Sequence, residues 1–411
     1  MTASQTQNTI EVDVLVVGAG LVGSSVAMHL ARQGVKSIAV VDLDLEGVFS
    51  SSELNAGGVR ATWNSPVNAM ISRLSIDYYA TIKDEIGFKQ NGYFWMYSSD
   101  EWPNAKAALQ ANPHLKDMGI EFLTPSEITR RYPFIDKVTD LGGATYSPHD
   151  GLLNANLLKM HFRTVAKDHG AKFINRVWVH HVDVSESGCE LQAWQWNEAL
   201  DHDEIKRILT EKDTKGAKAI TLKARSLVNC SGAWARRFAN CMGTDCPSTA
   251  VRRQVSVFDC KEVDLTPYGM FVDSSGVYFH HEAHYVLAGF ATPNEPEGYN
   301  FEYEGESFFE QYIWPALYER STKFENLKHV TGWAGLYEVS PDKSAILGRV
   351  PGFKNVYEAH SFSGRGAMQS YGAGLALAEL IRTGRYQSLD LAALSGERFA
   401  AGTLITETLV I

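Results

Sequence analysis

The chain has 411 residues, 45% of them hydrophobic and 21% charged, with a formal net charge of −10. That length exceeds one ordinary core and predicts two domains in a globular protein, and the acid excess argues against nucleic acid or an anionic membrane as partner. No window approaches the roughly eighteen uninterrupted apolar residues of a membrane span, and the cysteines, odd in number and without a CxxC pair, suit a reducing compartment, so a cytoplasmic location is expected. Residues 1–11 are polar and carry no export or transit pattern.

Residues 12–17 form a continuous apolar run, as in a strand buried on both faces. Gly18, Gly20 and Gly23 stand where it must turn into a helix carrying Val22, Val26 and Leu30 at helical spacing. Gly18 permits the tight turn, Gly20 lets backbone come close to a pyrophosphate, and Gly23 lets the helix pack on the sheet; phosphates then meet free N–H groups at the helix start, around Leu21 and Val22. Residues 37–42 read as the next strand, and Asp42, followed by Leu43, ends it where a carboxylate binds both ribose hydroxyls and repels a 2′-phosphate. FAD or NAD is expected, and NADP is not.

Residues 50–60, with Ser51, Ser52, Ala56, Gly57, Gly58 and Arg60, are small and polar and read as a loop able to lie flat on a large ligand. A helix is predicted over 69–86, and Thr124-Pro-Ser-Glu127 is a capping box opening a short helix that stops before Pro133. Residues 157–169 read as helix, 171–184 as one strand, and the charge-rich 201–218 as a solvated excursion, with a partner-binding role as the alternative. A strand over 219–229 runs into Cys230-Ser231-Gly232-Ala-Trp234, a second strand-to-glycine turn. Residues 250–330 look like a separate sheet, and 355–366 lead through Gly364 and Gly366 into a helix over 368–382. Three such turns, near 18, 232 and 364, suit a nucleotide-binding domain interrupted twice. There is no internal repeat, no metal-ligand spacing and no nucleophile elbow.

The glycine motif with Asp42, the Asn229–Trp234 turn, Gly335-Leu-Tyr337-Glu338-Val-Ser-Pro341-Asp342 with Ile346-Leu-Gly348, and Phe362-Ser-Gly364-Arg-Gly366 together resemble the D-amino-acid oxidase and sarcosine oxidase superfamily of FAD-dependent amine oxidoreductases. Gly58-Val-Arg60, Gly276-Val-Tyr-Phe279 and the C-terminal third look most similar to FAD-dependent oxidoreductase domain proteins related to a mitochondrial complex I assembly factor. The resemblance implies an α/β fold: a Rossmann-like FAD-binding domain (11–90, 150–247 and 331–395) interleaved with a second α+β substrate domain (91–149 and 248–330) on a mostly antiparallel sheet. It places the adenine end at Gly18, Gly20, Gly23, Asp42 and Val179. The flavin ring falls between Ser51, Ser52 and Gly57 on one side and Gly364, Arg365, Gly366, Ala367 and Met368 on the other, with Ser231, Gly232, Trp234 and Gly335 completing the cofactor set. Gly335 and Asn55 replace the family's flavin-linking Cys and His, so FAD is expected to be non-covalent. Leu287 replaces an oxygen-activating lysine, which points to a dehydrogenase more than a fast oxidase.

The implied reaction is oxidation of an amino acid or N-methyl amino acid, a sarcosine-like secondary amine, to an imine by hydride transfer to flavin N5. The alternative is an FAD-stabilised assembly or scaffold protein with little catalysis. Arg60 matches the family arginine that pairs with the substrate carboxylate, against the plainer role of bridging a loop to its surroundings. Arg365 is a second carboxylate partner or a cap on a neighbouring segment. Tyr337 closes over the substrate or fills the core. Of His280 and His281, adjacent on a strand and so facing opposite ways, one faces the flavin as proton acceptor or both are structural. The expected partners are a small amine or amino-acid substrate and an electron acceptor that the sequence does not name; a homo-oligomer is left open.

Overall fold

The computed structural model describes residues 9–405 together with Glu407 and Leu409; residues 1–8 of the polar N-terminal stretch lie outside it. Two eight-stranded sheets organise the chain. The first runs Ile346–Arg349, Val356–His360, Lys218–Asn229, Thr9–Val17, Ile38–Val41 and Lys172–Ile174. Its centre is parallel: Thr9–Val17 pairs Lys218–Asn229 on one side and Ile38–Val41 on the other. Helices cover one face, and the strands Val177–Ser185 and Gly188–Gln195 with Phe238 cover the other, so Val14–Val17 are buried on both sides, which is why that stretch is apolar without alternation. The helices Leu21–Arg32 and Gly366–Thr383 lie together on one face, close enough that a Cβ on Gly374 would sit 2.2 Å from the Ser25 hydroxyl.

The second sheet runs Lys328–Val339, Thr249–Asp259, Tyr285–Phe290, Tyr278–Glu282, Met270–Val272, Tyr93–Ser98, Leu141–Ser147 and Glu121–Leu123. It is antiparallel except where Met270–Val272 meets Tyr93–Ser98. Phe94, Phe258, Phe271, Phe279, Phe308 and Phe324 fill the core on one of its faces. Lys328–Val339 belongs to this sheet, although part of it was assigned by sequence to the nucleotide-binding half. It hands the chain back to the first sheet through Ser340–Ser344, a turn fixed by the buried bidentate pair of Arg398 with Asp342 at 2.7 and 2.9 Å.

Several predicted elements shift. The helix after the flat loop starts at Pro66 and breaks after Thr81 into the short turn Lys83–Ile86. The loop itself ends in a two-residue strand, Gly58–Val59, paired with Gly151–Leu152. The single strand expected over 171–184 is two, Lys172–Ile174 and Val177–Ser185, parted where Arg176 takes a left-handed φ of 61°. The end of the supposed strand-rich region is helical, Glu306–Phe308 continuing to Trp314–Arg320. The capping box forms as expected, with the Thr124 N–H donating to Glu127 at 2.8 Å. Among the described residues no helix is long and apolar enough to cross a membrane.

The charged excursion is the largest revision. His202–Glu211 is an amphipathic helix, capped by Asp201, whose backbone-bonded carboxylate takes the Glu204 N–H at 2.8 Å. Its charges face water, while Ile205, Ile208 and Leu209 recur at helical spacing and bury against Leu43, Phe49 and Trp196.

Candidate active site

The three glycine turns open onto one cavity of about 440 Å³. At its start Gly18 has φ +102°, and a Cβ there would lie 2.2 Å from the Cys230 carbonyl oxygen of the second turn. Gly23 stands behind the wall, where a Cβ would meet the Gly18 oxygen at 1.9 Å, so it sets the packing of helix on strand and does not touch the cavity. Gly20, Leu21 and Val22 line the wall, and the Ser52 hydroxyl takes the Leu21 N–H at 3.0 Å. Asp42 lines it too, accepting the Ala19 N–H at 2.5 Å, with burial raising its carboxyl above the usual range. Arg163 braces the turn from behind through the Ala19 and Leu45 carbonyls at 2.7 and 2.8 Å.

Of the residues expected to hold the cofactor, Leu43, Ser51, Ser52, Ala56, Val179, Ser231, Gly232, Trp234, Gly335, Gly364, Gly366 and Ala367 line the same cavity. Ile205 and Leu209 of the amphipathic helix roof its nucleotide end, which sequence reasoning missed. Gly57 lies off the wall, tight against the Leu153 oxygen, where a Cβ would stand 2.6 Å away. The turn before the helix Gly366–Thr383 is strained: Ser361 and Ser363 both hold left-handed φ, 58° and 50°, at on the order of 1 kcal/mol each. The strain aims the N-terminus of Gly366–Thr383, with its partial positive charge, into the cavity.

A side chamber of about 50 Å³ joins the far end, sharing Asn55, Ala56, Tyr278, Tyr337 and Gly364 with the main cavity. Gly58, Arg60, Trp63, Tyr93, Met270, Ser363, Arg365 and Met368 complete its walls. Burial pushes the hydroxyls of Tyr93, Tyr278 and Tyr337 up, so all three are neutral at pH 7. No Asp, Glu, His or Lys is among the residues that line it.

The two arginines exchange the ranks that sequence assigned them. Arg60 is committed elsewhere: Nη1 donates to the Thr62 carbonyl at 2.7 Å and Nη2 to the Leu409 carbonyl, while the guanidinium sits 3.6 Å over Trp63 and 4.3 Å over Trp95. Only its Nε lacks a partner. Arg365 is 1% exposed, and its Nε, Nη1 and Nη2 have no hydrogen-bond partner among the described residues. Trp63 stacks on it at 4.9 Å, and burial pulls its pKa down to about 10. A buried guanidinium with every donor idle is costly unless something anionic meets it.

His280 and His281 line neither space. His280 is buried, its Nδ1 bonded to the His281 carbonyl at 2.6 Å, and burial lowers its pKa to about 4, so it is neutral. The strand's alternation puts Tyr278 and His280 on one face, and it is Tyr278 that reaches the cavity, over Gly289, where a Cβ would lie 2.2 Å from the tyrosine oxygen. That Tyr-x-His parity with a glycine opposite was the available signal. Glu338, also missed, lines the main cavity with its pKa pushed up to about 7 by burial.

A long cleft built of glycine turns, a buried ribose-type carboxylate and two helix N-termini, opening into a small aromatic chamber with an idle cation, defines a dinucleotide-binding protein with a separate small-molecule site. The chain belongs to the FAD dependent oxidoreductase family, whose model matches residues 13–380. It is similar to FAD-dependent oxidoreductase domain-containing protein 1 of Xenopus laevis, 26% identical over 94% of this chain and 82% of the relative. It is similar also to monomeric sarcosine oxidase of Bacillus sp. (strain NS-129), 23% identical over 91% of this chain and 93% of the relative. The solved L-proline dehydrogenase of P. horikoshii shares the fold, with a TM-score of 0.81 at 22% identity over 97% of this chain and 100% of that one. The cradle at Gly18 and Gly20, where side chains would collide with backbone or with Ser52, fits FAD, the family's cofactor.

Proposed function

We propose that the chain oxidises the amine of an amino acid or N-methyl amino acid to an imine, with FAD bound non-covalently. The observation that carries this reading is Arg365: a fully buried guanidinium with three idle nitrogens on the wall of a chamber sized for a few heavy atoms calls for a carboxylate, gripped by two parallel hydrogen bonds. Gly18, Gly20, Leu21, Asp42, Ser52 and Gly366 would hold the cofactor, and FAD when bound supplies the hydride acceptor. The relatives named for sarcosine and proline support an amino-acid substrate.

The chain's own part is to orient and to exclude water. Arg365 fixes the carboxylate, and Trp63, Tyr93, Tyr278 and Tyr337 shape the space around the amine. Because no Asp, Glu, His or Lys is among the described residues that line the side chamber, the ammonium proton leaves to water, and reduction speeds up as the substrate's own amine deprotonates. Leu287 is buried in an apolar cluster and no lysine lines the chamber, which favours an acceptor other than oxygen. The free cysteines favour a reducing compartment, here taken as the cytoplasm. A scaffold with a structural flavin gives no reason for a buried guanidinium whose nitrogens have no hydrogen-bond partner among the described residues. Anaerobic mixing with a panel of amino acids and N-methyl amino acids should bleach the visible flavin band; a panel that leaves the band intact refutes the proposal.

A further inference from the structure

Arg252 and Arg253 are neighbours on the strand Thr249–Asp259 and meet opposite fates. Arg252 is saturated: Glu295 binds it twice, at 2.6 and 3.2 Å, Glu304 takes Nη2 at 2.6 Å, and the Glu302 carbonyl takes Nη1 at 2.7 Å. Arg253, turned the other way by the alternation of the strand, lines the main cavity. Its Nη1 donates to the Arg252 carbonyl at 2.8 Å, its buried Nε has no partner and it has no ion pair among the described residues.

Tyr337 neighbours both Arg253 and Arg365. Its ring centroid is 5.3 Å from the Arg253 guanidinium, and its ring packs against Gly364, the residue before Arg365. Tyr337 lines both spaces, Arg253 only the cavity and Arg365 only the chamber. One carboxylate answers Arg365 and leaves Arg253, on the wall of the adjoining cavity, without an ion pair among the described residues. We propose that the substrate is a dicarboxylate amine, an amino acid bearing a second carboxylate on its nitrogen substituent or side chain, with one carboxylate held by Arg365 and the other by Arg253. This rests on the carboxylate-anchoring reading of Arg365 and adds a specificity-determining role for Arg253.

The test is equilibrium binding to the FAD-loaded protein, read as a perturbation of the flavin band. Two thioethers serve as probes, because sulfur in place of the amine blocks oxidation: methylthioacetate with one carboxylate and thiodiacetate with two. The parent should bind thiodiacetate about tenfold tighter than methylthioacetate, since a half-buried charge pair is worth roughly that much. In FAD-loaded protein, Arg253→Met should erase the preference for thiodiacetate over methylthioacetate, and Arg253→Lys should restore part of it. Equal affinities in the parent overturn the dicarboxylate proposal alone, without any variant having to fold. So does an FAD-loaded Arg253→Met protein that keeps the preference. If neither probe perturbs the band, the carboxylate site itself falls and the dicarboxylate proposal with it.

Discussion

Replacing Arg365 by methionine should move stability and ligand binding in opposite directions. Burial pulls the pKa of this guanidinium down to about 10, a drop that corresponds to about 3 kcal/mol carried by the ligand-free fold. Stacking on Trp63 at 4.9 Å returns about 1 kcal/mol of that, and would be lost with the charge. Methionine, of similar length and apolar, therefore leaves the ligand-free holoprotein more stable by about 2 kcal/mol, on the order of 3 °C in melting temperature for a chain of this size. The same change strips a carboxylate of a bidentate partner in a dry chamber, a loss of about 3 kcal/mol, or on the order of 100-fold in Kd. Thermal melts without ligand and flavin-band titrations with methylthioacetate read the two effects separately. A variant that melts below the parent and still binds the carboxylate with the parent's affinity would refute the reasoning, because Arg365 would then be a structural residue with an internal partner.

Three further outcomes are expected. Gly23→Ala puts a methyl group 1.9 Å from the rigid Gly18 oxygen and should cost about 2 kcal/mol or more, seen as a lower melting temperature and loss of yellow colour on purification; a variant that keeps its FAD would show that the helix can slide. The double change Ile205→Ala with Leu209→Ala opens the roof of the nucleotide end and should raise the FAD dissociation rate by about tenfold, measured by the recovery of flavin fluorescence on dilution, whereas an unchanged rate would mean that the amphipathic helix only covers the surface. Asp150 is fully buried, its carboxyl pushed up to about 7 by desolvation although it takes the Ala61 N–H and the Thr62 hydroxyl at 3.0 Å each. Between about 4 and about 7 the fold holds a proton that the unfolded chain has released, so its contribution falls as pH rises through that window. Asp150→Asn should accordingly gain on the parent by about 1.4 kcal/mol per pH unit there, in denaturant melts run at several pH values, and a gap that stays constant with pH would contradict the assignment.

Local signals were legible and distant pairings were not. The first strand, its glycines, the following helix and Asp42 are contiguous, so each constraint checks the next, and the structure keeps all of them in place. The break at Arg176 carried no glycine or proline to announce it. In His202–Glu211 the apolar spacing of Ile205, Ile208 and Leu209 was present in the sequence, but charge density on the outer face outweighed it. Alternation said that one residue of the His280 pair must point inward; which rung of the strand meets the cavity depends on Gly289 across the sheet, and so Tyr278 took the place expected of a histidine. The ordering of Arg60 and Arg365 was beyond reach for a similar reason. Arg60 is satisfied by the carbonyl of Leu409, hundreds of residues later, and no local pattern announces that bond.

The contact of Gly374 with Ser25 has a bearing on how the protein is made. A ribosome releases the helix Leu21–Arg32 early, yet the surface it buries is supplied by Gly366–Thr383, nearly the last segment to emerge. Through most of synthesis that early helix has an apolar flank without its native cover, a period of exposure that invites chaperone attention and self-association. Vitamin supply and translation are thereby linked: nascent chains can accept the nucleotide only after they are all but finished.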